Sequence, residues 1–202
     1  RPGRHRPSAM PMARVLSLVL LVAVSADPTR VTTPSGTLQG FLNATNGLCA
    51  FRGIPYAKPP LGDLRWRSPQ PYGSWTGVRD ATQFGNTCLQ NARGGWATVQ
   101  GVKNSSEDCL YLNVVAPALR PATGRLYPVV VYLHAGEFDY GAGSDRESDW
   151  PFASDLADLV LVTPNSRLGV FGFLGSADLR GRTADGSTGN FGLADQRLAL
   201  EW

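Results

Sequence analysis

The order of apolar and polar residues predicts several short strands in the first part of the chain. Strand-like runs cover Arg30 to Thr33 and Thr37 to Phe41, and Pro34-Ser35-Gly36 between them has the composition of a turn. These two runs predict a β-hairpin. A third apolar run, from Cys49 to Ile54, predicts a further strand.

A proline-rich segment follows from Pro55 to Tyr72. Five of its eighteen residues are proline, and proline removes a backbone donor from helices and from sheet ladders. We therefore expect an extended segment packed on the surface, and neither a helix nor a central strand.

Three later runs return to strand character. From Ser106 to Ala116 the apolar residues alternate along one face, and Pro117 ends the run. Val129 to Leu133 and Leu159 to Val162 are continuously apolar, which is typical of strands covered on both faces. Between them, the apolar residues at roughly helical spacing from Trp150 to Ala157 predict a connecting helix. Strand, helix and strand in this order indicate an α/β sheet.

The last part of the chain predicts close backbone packing and then a helix. Glycine recurs at every third position from Leu168 to Gly175, without the G-x-G-x-x-G spacing of a dinucleotide site. Asn190 stands where it can cap a helix in which Ala194, Leu198 and Trp202 form an apolar stripe.

Composition and charge indicate a globular protein. The chain has 202 residues, of which 43% are hydrophobic and 17% charged, with a net charge of +3. Much of the excess positive charge lies in the first eleven residues, and no basic stripe with interleaved aromatic residues is present. Nucleic acid is therefore not an expected partner. No spacing of His, Cys or carboxylates indicates a metal site, and no cofactor is expected.

The first 26 residues predict export from the cell. Residues 1–11 are interpreted as an upstream, non-native segment, because Met12 begins a short signal pattern. The basic residue Arg14, the apolar run Val15 to Val24 and the small residues Ser25 and Ala26 predict a signal peptide over residues 12–26. About ten apolar residues are too few to cross a hydrocarbon core of roughly 30 Å. We therefore expect a secreted protein without a membrane span, whose mature part is residues 27–202.

Two other features, the glycosylation sequons and the cysteines, agree with secretion. The sequence contains glycosylation sequons at Asn43 and Asn104. Its three cysteines predict one disulfide and one leftover thiol in an oxidising compartment.

Three segments together are similar to the type B carboxylesterase and cholinesterase family. They are FRGIPYAKPPLGDLRWRSPQP from Phe51, SEDCLYLNVVAP from Ser106, and the glycine-rich and GNFGLADQRLALEW segments between Leu161 and Trp202. The resemblance covers nearly everything after residue 29. It implies the N-terminal part of one α/β-hydrolase domain, with a mostly parallel central sheet flanked by helices and a small N-terminal β-hairpin sheet. Residues 27–202 are thus expected to be a fragment.

The same resemblance implies a serine esterase that acts on small carboxylic esters through an acyl-enzyme. The chain contains no G-x-S-x-G nucleophile elbow. Its two histidines are His5, in the upstream segment, and His134. The nucleophile, the acid and the histidine base are therefore expected beyond Trp202, and these 202 residues alone are expected to be inactive.

The resemblance also assigns part of a catalytic site to the segment after the Val129 run. In the family an HGGG-type turn supplies backbone N–H groups to the oxyanion. Those donors map onto Gly136 and Glu137, and Ala135 and Glu137 stand where glycines are expected. These departures keep open a second interpretation, a catalytically inactive binding or adhesion protein of the neuroligin type.

The family pattern further implies three structural pairings: Cys88 with Cys109 as a disulfide, and Arg65 with Glu107 and Arg167 with Asp195 as ion pairs. Cys49 would then be the free thiol, interpreted as a small buried apolar residue. Trp96, inside the disulfide loop, is interpreted as a packing aromatic. The sequence does not indicate an oligomeric state.

Overall fold

The described part of the protein consists of six ranges. The structure, a computed structural model, describes residues 27–44, 46–90, 104–118, 126–145, 158–183 and 186–202. The predicted export signal, Trp96 and the helix predicted from Trp150 to Ala157 lie outside these ranges.

The predicted hairpin forms at the start of these residues. β1 (Arg30–Thr33) pairs antiparallel with β2 (Gly36–Gln39), with Pro34 and Ser35 in the turn. A third strand, β5 (Val78–Asp80), pairs parallel with β2 and completes a small sheet. With only three residues, β5 is too short to show a pattern from which it could be predicted.

The central sheet has five strands. In chain order they are β3 (Phe41–Asn43), β4 (Leu48–Pro55), β8 (Tyr111–Pro117), β9 (Val129–Val131) and β10 (Val160–Pro164). Across the sheet the order is β3, β4, β8, β10, β9. The pairings from β3 to β10 are antiparallel, and β9 and β10 are parallel. The strands predicted around Cys49, Val129 and Leu159 are present, with their ends shifted by one or two residues.

Coverage of this sheet is uneven. Ile54 and Leu112, near its centre, are fully buried, whereas Val129 is 61% exposed. Among the described residues nothing covers the Val129 run on both faces, and β9 lies at the edge of their sheet.

The strand predicted from Ser106 to Ala116 is divided in two. Ser105–Ser106 forms a separate short strand, β7, and β8 starts only at Tyr111. Between them the Asp108 N–H donates to Ser106 Oγ at 3.1 Å, and Asp108 Oδ1 accepts from the Tyr111 hydroxyl at 2.9 Å. Such local side-chain bonds compete with ladder pairing, which accounts for the break. Burial, with that carboxylate bond, raises the pKa of Tyr111 to about 12.

The proline-rich segment is extended, as predicted, apart from a 3-10 turn at Gly62–Leu64. Ala57 and Pro71 form an isolated antiparallel bridge across it. Tyr56 is buried, and its hydroxyl donates to the Asn165 carbonyl at 2.6 Å. Burial raises the pKa of Tyr56 well above its ordinary value. This bond ties the segment to the residue that follows β10.

Three helices follow β10: α1 (Gly169–Phe173), α2 (Ala177–Arg180) and α3 (Phe191–Glu201). Helices α1 and α3 approach the same carbonyl group. A Cβ at Gly172 would lie 2.3 Å from the Arg167 carbonyl oxygen, and one at Gly192 would lie 2.5 Å from it. Glycine is therefore required at this crossing, in agreement with the close packing predicted for the glycine-rich run.

The buried face of α3 differs from the predicted stripe. The helix begins after Asn190, but the Asn190 side chain forms no capping bond. Ala194 and Leu198 lie only partly buried, and Trp202 is exposed. The buried residues are Phe191, Gly192, Asp195 and Ala199. The stripe is misplaced because a buried carboxylate, Asp195, occupies the centre of the face.

Asp195 pairs with Arg167 in the interior, where their side chains are 0% and 3% exposed. Asp195 Oδ2 accepts from the Arg167 backbone N–H at 2.9 Å and from Nε at 2.8 Å, and Oδ1 accepts from Nη2 at 2.7 Å. The planar guanidinium thus meets both carboxylate oxygens. The pair joins the segment after β10 to α3.

We expect Asp195→Asn to lower the free energy of unfolding by about 3–5 kcal/mol, because it leaves the buried Arg167 guanidinium without its counter-charge. Denaturant unfolding of the purified protein measures this change. Replacing both partners, as Arg167→Met with Asp195→Leu, is expected to cost less than the single change. Glu201→Gln, which breaks the exposed pair with Arg197, is the control and should leave the midpoint unchanged. An Asp195→Asn protein as stable as the wild type would contradict this account.

Candidate active-site loop

The loop that follows β9 is a tight turn centred on Gly136. The Gly136 carbonyl oxygen accepts from the Asp139 N–H at 2.8 Å and from the Tyr140 N–H at 3.1 Å. The φ angles are 125° at Gly136, 55° at Glu137 and 63° at Phe138. Three successive residues thus have positive φ, a conformation that Glu137 and Phe138 do not favour on their own.

Only glycine fits at position 136. A Cβ there would lie 1.9 Å from the Tyr140 carbonyl oxygen. At position 137 the chain keeps a left-handed conformation although the residue is a glutamate, at a cost of about 1–2 kcal/mol. Glu137 therefore leaves the backbone in a region that glycine adopts without strain.

Glu137 and its neighbour Ala135 both lie at the surface. Each residue is exposed, and the Ala135 carbonyl accepts a hydrogen bond of 2.9 Å from His134 Nδ1. This bond places a proton on Nδ1.

Two elements hold the loop from outside. The Gly169 N–H, at the start of α1, donates to the Phe138 carbonyl at 2.7 Å. The Phe138 and Phe173 rings pack with centroids 5.0 Å apart. On the other side, Gln90 accepts from the Gly141 N–H at 2.8 Å and donates to the Gly141 carbonyl at 3.0 Å. The loop is thus clamped at both ends.

Asn165 supports the chain beyond the clamp. Its Oδ1 accepts from the Gly143 N–H at 2.8 Å, and its Nδ2 donates to the carbonyls of Asn86 at 3.0 Å and Cys109 at 3.2 Å. Sequence reasoning identified neither Gln90 nor Asn165. The one available signal was the position of Asn165, a polar residue directly after a buried apolar strand, which must find partners when buried.

A depression of about 540 Å³ lies beside the loop. Phe138, which is 51% exposed, forms part of its wall. The lining consists of Glu137, Phe138, Asp139, Gly169, Val170, Phe173 and Leu174. A mostly apolar wall with a few polar groups is suited to the hydrocarbon part of a small molecule.

A disulfide joins Cys88 and Cys109, which are 21 positions apart. Cys88 ends β6 (Thr87–Cys88), a two-residue strand that pairs with β7, and Cys109 lies just before β8. Cys49 is free and buried in β4. Burial raises the pKa of the Cys49 thiol, so this thiol is protonated and poorly reactive at neutral pH.

Arg65 and Glu107 form a bidentate ion pair. Arg65 donates from Nε and Nη2 to the two carboxylate oxygens, and the Arg65 side chain is 40% exposed. The hydrogen bond to Glu107 raises the pKa of Arg65 above its ordinary value. This pair attaches the proline-rich segment to the chain just before the disulfide.

The two sequon asparagines lie outside the site. Asn43 ends β3 and is partly exposed, and Asn104 is exposed just before β7. Their glycosylation stays a prediction. Within the six described ranges, no group of three or more His, Cys, Asp or Glu residues is placed to hold a metal ion. The same residues form no helix with the length and apolar character needed to cross a membrane.

The mixed sheet, the helices after β10 and the turn after β9 define an α/β-hydrolase fold. A crystal structure of the Geobacillus stearothermophilus carboxylesterase EST55 matches the protein with a TM-score of 0.72 and 39% identity, covering 86% of this chain and 33% of that chain. The chain belongs to the carboxylesterase family, whose family model matches residues 27–202.

Individual relatives agree with this assignment. Mouse (Mus musculus) cholinesterase is 38% identical over 183 residues, which are 85% of this chain and 28% of the relative. The para-nitrobenzyl esterase of Bacillus subtilis is 39% identical over 172 residues, which are 85% of this chain and 33% of the relative. The chain thus spans about a third of the length of these relatives.

Replacing both Cys88 and Cys109 with serine is expected to lower the free energy of unfolding by about 3 kcal/mol, because the unfolded chain regains the freedom of the closed loop. Denaturant unfolding measures the change, and the wild-type protein under reducing conditions should match the double variant. Cys49→Ala, which leaves the disulfide intact, should keep the difference between oxidised and reduced samples. Equal stability of the double variant and the oxidised wild type would contradict this role.

Proposed function

We propose that the longer protein containing this chain is a carboxylic ester hydrolase that acts on small-molecule esters. Membership of the carboxylesterase family supports this proposal. The observation that carries it is the turn at Gly136, where a side chain would collide with Tyr140 and where Glu137 keeps a glycine-like backbone. Backbone N–H groups held in such a turn can stabilise a developing oxyanion.

The proposed reaction passes through an acyl-enzyme. A serine oxygen, supplied by the part of the protein beyond these residues, attacks the ester carbonyl carbon while a histidine takes the serine proton. The carbonyl π electrons move to the oxygen, which the N–H groups of Gly136 and Glu137 stabilise. Collapse breaks the bond to the alcohol, which leaves with the proton from the histidine. Water then releases the acid by the same steps.

The Glu137 side chain would act against this stabilisation. A carboxylate directed at the oxyanion opposes the growing negative charge, whereas one directed away from it has little effect. The backbone donor itself does not depend on the side chain, provided that the φ angle is kept. The loss of one such donor costs on the order of 3 kcal/mol, about a hundredfold in rate.

A second candidate function is that of a catalytically inactive binding or adhesion protein of the neuroligin type. Ala135 and Glu137, which replace two expected glycines, favour it. A fold can persist after its catalytic site is lost. Catalysis is the preferred proposal because Gly136, the position that tolerates no side chain, is kept.

We also propose that the protein is secreted and glycosylated at Asn43 and Asn104. The signal pattern over residues 12–26 and the two sequons support this. The Cys88 to Cys109 disulfide is consistent with it, because disulfides persist in oxidising compartments.

The function is tested by extending the sequence and assaying its product. The coding sequence beyond Trp202 is expected to contain a G-x-S-x-G elbow, followed by an acid and a histidine. The encoded protein should hydrolyse p-nitrophenyl acetate and react with a fluorophosphonate probe. Gly136→Ala should lower kcat by at least about a hundredfold, whereas Gly175→Ala, whose Cβ would find its nearest atom at 3.7 Å, should preserve it. Glycine or alanine in place of the serine, or no hydrolysis, would favour the binding protein.

In the same protein, Glu137→Gly is expected to leave kcat equal or higher, because it removes a negative charge and keeps the backbone donor. The free energy of unfolding should change by less than about 1 kcal/mol, since the relief of left-handed strain offsets the added freedom of the unfolded chain. Asp178→Gly, at an exposed helical position in α2, is the control and should destabilise by about 1 kcal/mol. A tenfold fall in kcat for Glu137→Gly would show that the carboxylate assists the reaction.

A further inference from the structure

Three consecutive residues, Arg65, Trp66 and Arg67, each reach a different segment of the fold. Arg65 holds Glu107 through both carboxylate oxygens. Trp66 Nε1 donates to the Val170 carbonyl, in α1, at 3.0 Å. Arg67 Nη1 donates to the carbonyl of Arg182, just after α2, at 2.7 Å. We call residues 65–67 the clasp.

The central residue of the clasp has an unusual backbone. Trp66 has a φ angle of 55°, which is rare for a bulky residue and persists only where surrounding contacts determine it. Its indole stacks on Phe171 with centroids 6.5 Å apart and an interplanar angle of 12°. The Arg65 guanidinium lies 5.7 Å from the centroid of the same indole. The contacts that hold Trp66 therefore include both α1 and the flanking ion pair.

Helix α1 connects the clasp to the candidate active-site loop. With five residues, α1 is too short to be stable by itself and depends on its neighbours. Trp66 contacts it at Val170 and Phe171. Two other residues of α1, Gly169 and Phe173, contact Phe138. A short and continuous set of contacts thus runs from the indole to the residue after Glu137.

We propose that Trp66 is a positioning residue for the candidate active-site loop. By holding the Val170 carbonyl and the Phe171 ring, Trp66 fixes the Gly169 N–H that binds the Phe138 carbonyl. This bond in turn sets the left-handed turn in which Glu137 donates its N–H. The inference rests on the proposed ester hydrolysis, because donors of this kind stabilise a transition state only when held within about half an ångström.

Steady-state kinetics of the complete protein test the proposal. Trp66→Ala should lower kcat on p-nitrophenyl acetate tenfold or more, while KM changes less than twofold, since the ground-state ester does not depend on the oxyanion donors. Trp66→Phe keeps a ring for the Phe171 stack but loses the indole N–H, so its kcat should lie between those of the wild type and Trp66→Ala.

Trp75 offers a matched control. Its indole N–H also donates to a backbone carbonyl at 3.0 Å, that of Thr37. Thr37 lies in the N-terminal three-stranded sheet, which contains no residue of the candidate active-site loop. Trp75→Phe and Trp75→Ala make the same chemical changes and should keep kcat within twofold of the wild type. Equal losses of kcat in the Trp66 and Trp75 variants would show that Trp66 has only a general structural role, which would overturn the proposal.

Amide hydrogen exchange separates this inference from the proposed function. Trp66→Ala and Trp66→Phe should accelerate exchange in the peptides that contain Gly169 and residues 136–140, and the Trp75 variants should not. A wild-type protein without hydrolysis would overturn the proposed function, and the exchange data would still decide whether Trp66 positions the loop. Unchanged exchange and unchanged kcat in both Trp66 variants would overturn the positioning role.

Discussion

The buried ion pair of Arg167 and Asp195 is the interaction on which the rest of the described fold depends. Removing two charges from water is costly, and close pairing with several hydrogen bonds offsets that cost. Asp195 meets this requirement by taking three donors from Arg167, one of which is the backbone N–H. The requirement determines the rotation of α3 about its own axis. It also brings Gly172 and Gly192 against the Arg167 carbonyl, where no larger residue fits.

Residues 165–167 are consequently the place where sheet, helix and loop meet. Asn165 binds the chain on the far side of the candidate loop and the carbonyl of the disulfide residue Cys109. Arg167, two positions later, binds α3. Because α1 begins two residues further on, a displacement of this short segment would also displace the candidate active-site loop, through the bond from the Gly169 N–H to the Phe138 carbonyl. The loop owes its shape to distant parts of the chain more than to its own sequence.

The dependence on contacts between distant segments explains which elements could be predicted from the sequence. The hairpin and the strands around Cys49, Val129 and Leu159 follow from local apolar patterns and turn residues, and their positions were predicted to within two residues. The start of β8 was predicted five residues too early, because the side-chain bonds of Asp108 interrupt the strand. The short strands β5 and β7 depend on partners far away along the chain, so no local pattern indicates them. The apolar stripe of α3 was misplaced because a hydrophobic pattern cannot show that an aspartate is the most buried residue of the face.

In the candidate active-site loop, too, some features could be predicted from the sequence and others could not. A motif located the loop and identified Gly136, because a position that only glycine can occupy is visible in the sequence. The left-handed backbone of Glu137 and Phe138 could not be predicted, since both residues prefer other conformations. Bonds to Gly136 and from Gly169 impose it. The two bonds between the Gln90 side chain and the Gly141 backbone could not be predicted either, because a single amide residue forms no pattern in the sequence.

The strand order also has a consequence for how the chain folds during synthesis. β8 lies between β4 and β10, so one of its partners is made well before it and the other well after it. Until β10 has left the ribosome, β8 presents an unpaired edge beside apolar residues such as Leu112 and Val114. Exposed edges of this kind readily pair with other chains. The interval between the synthesis of residue 117 and that of residue 164 is therefore one period in which a nascent chain needs protection from aggregation.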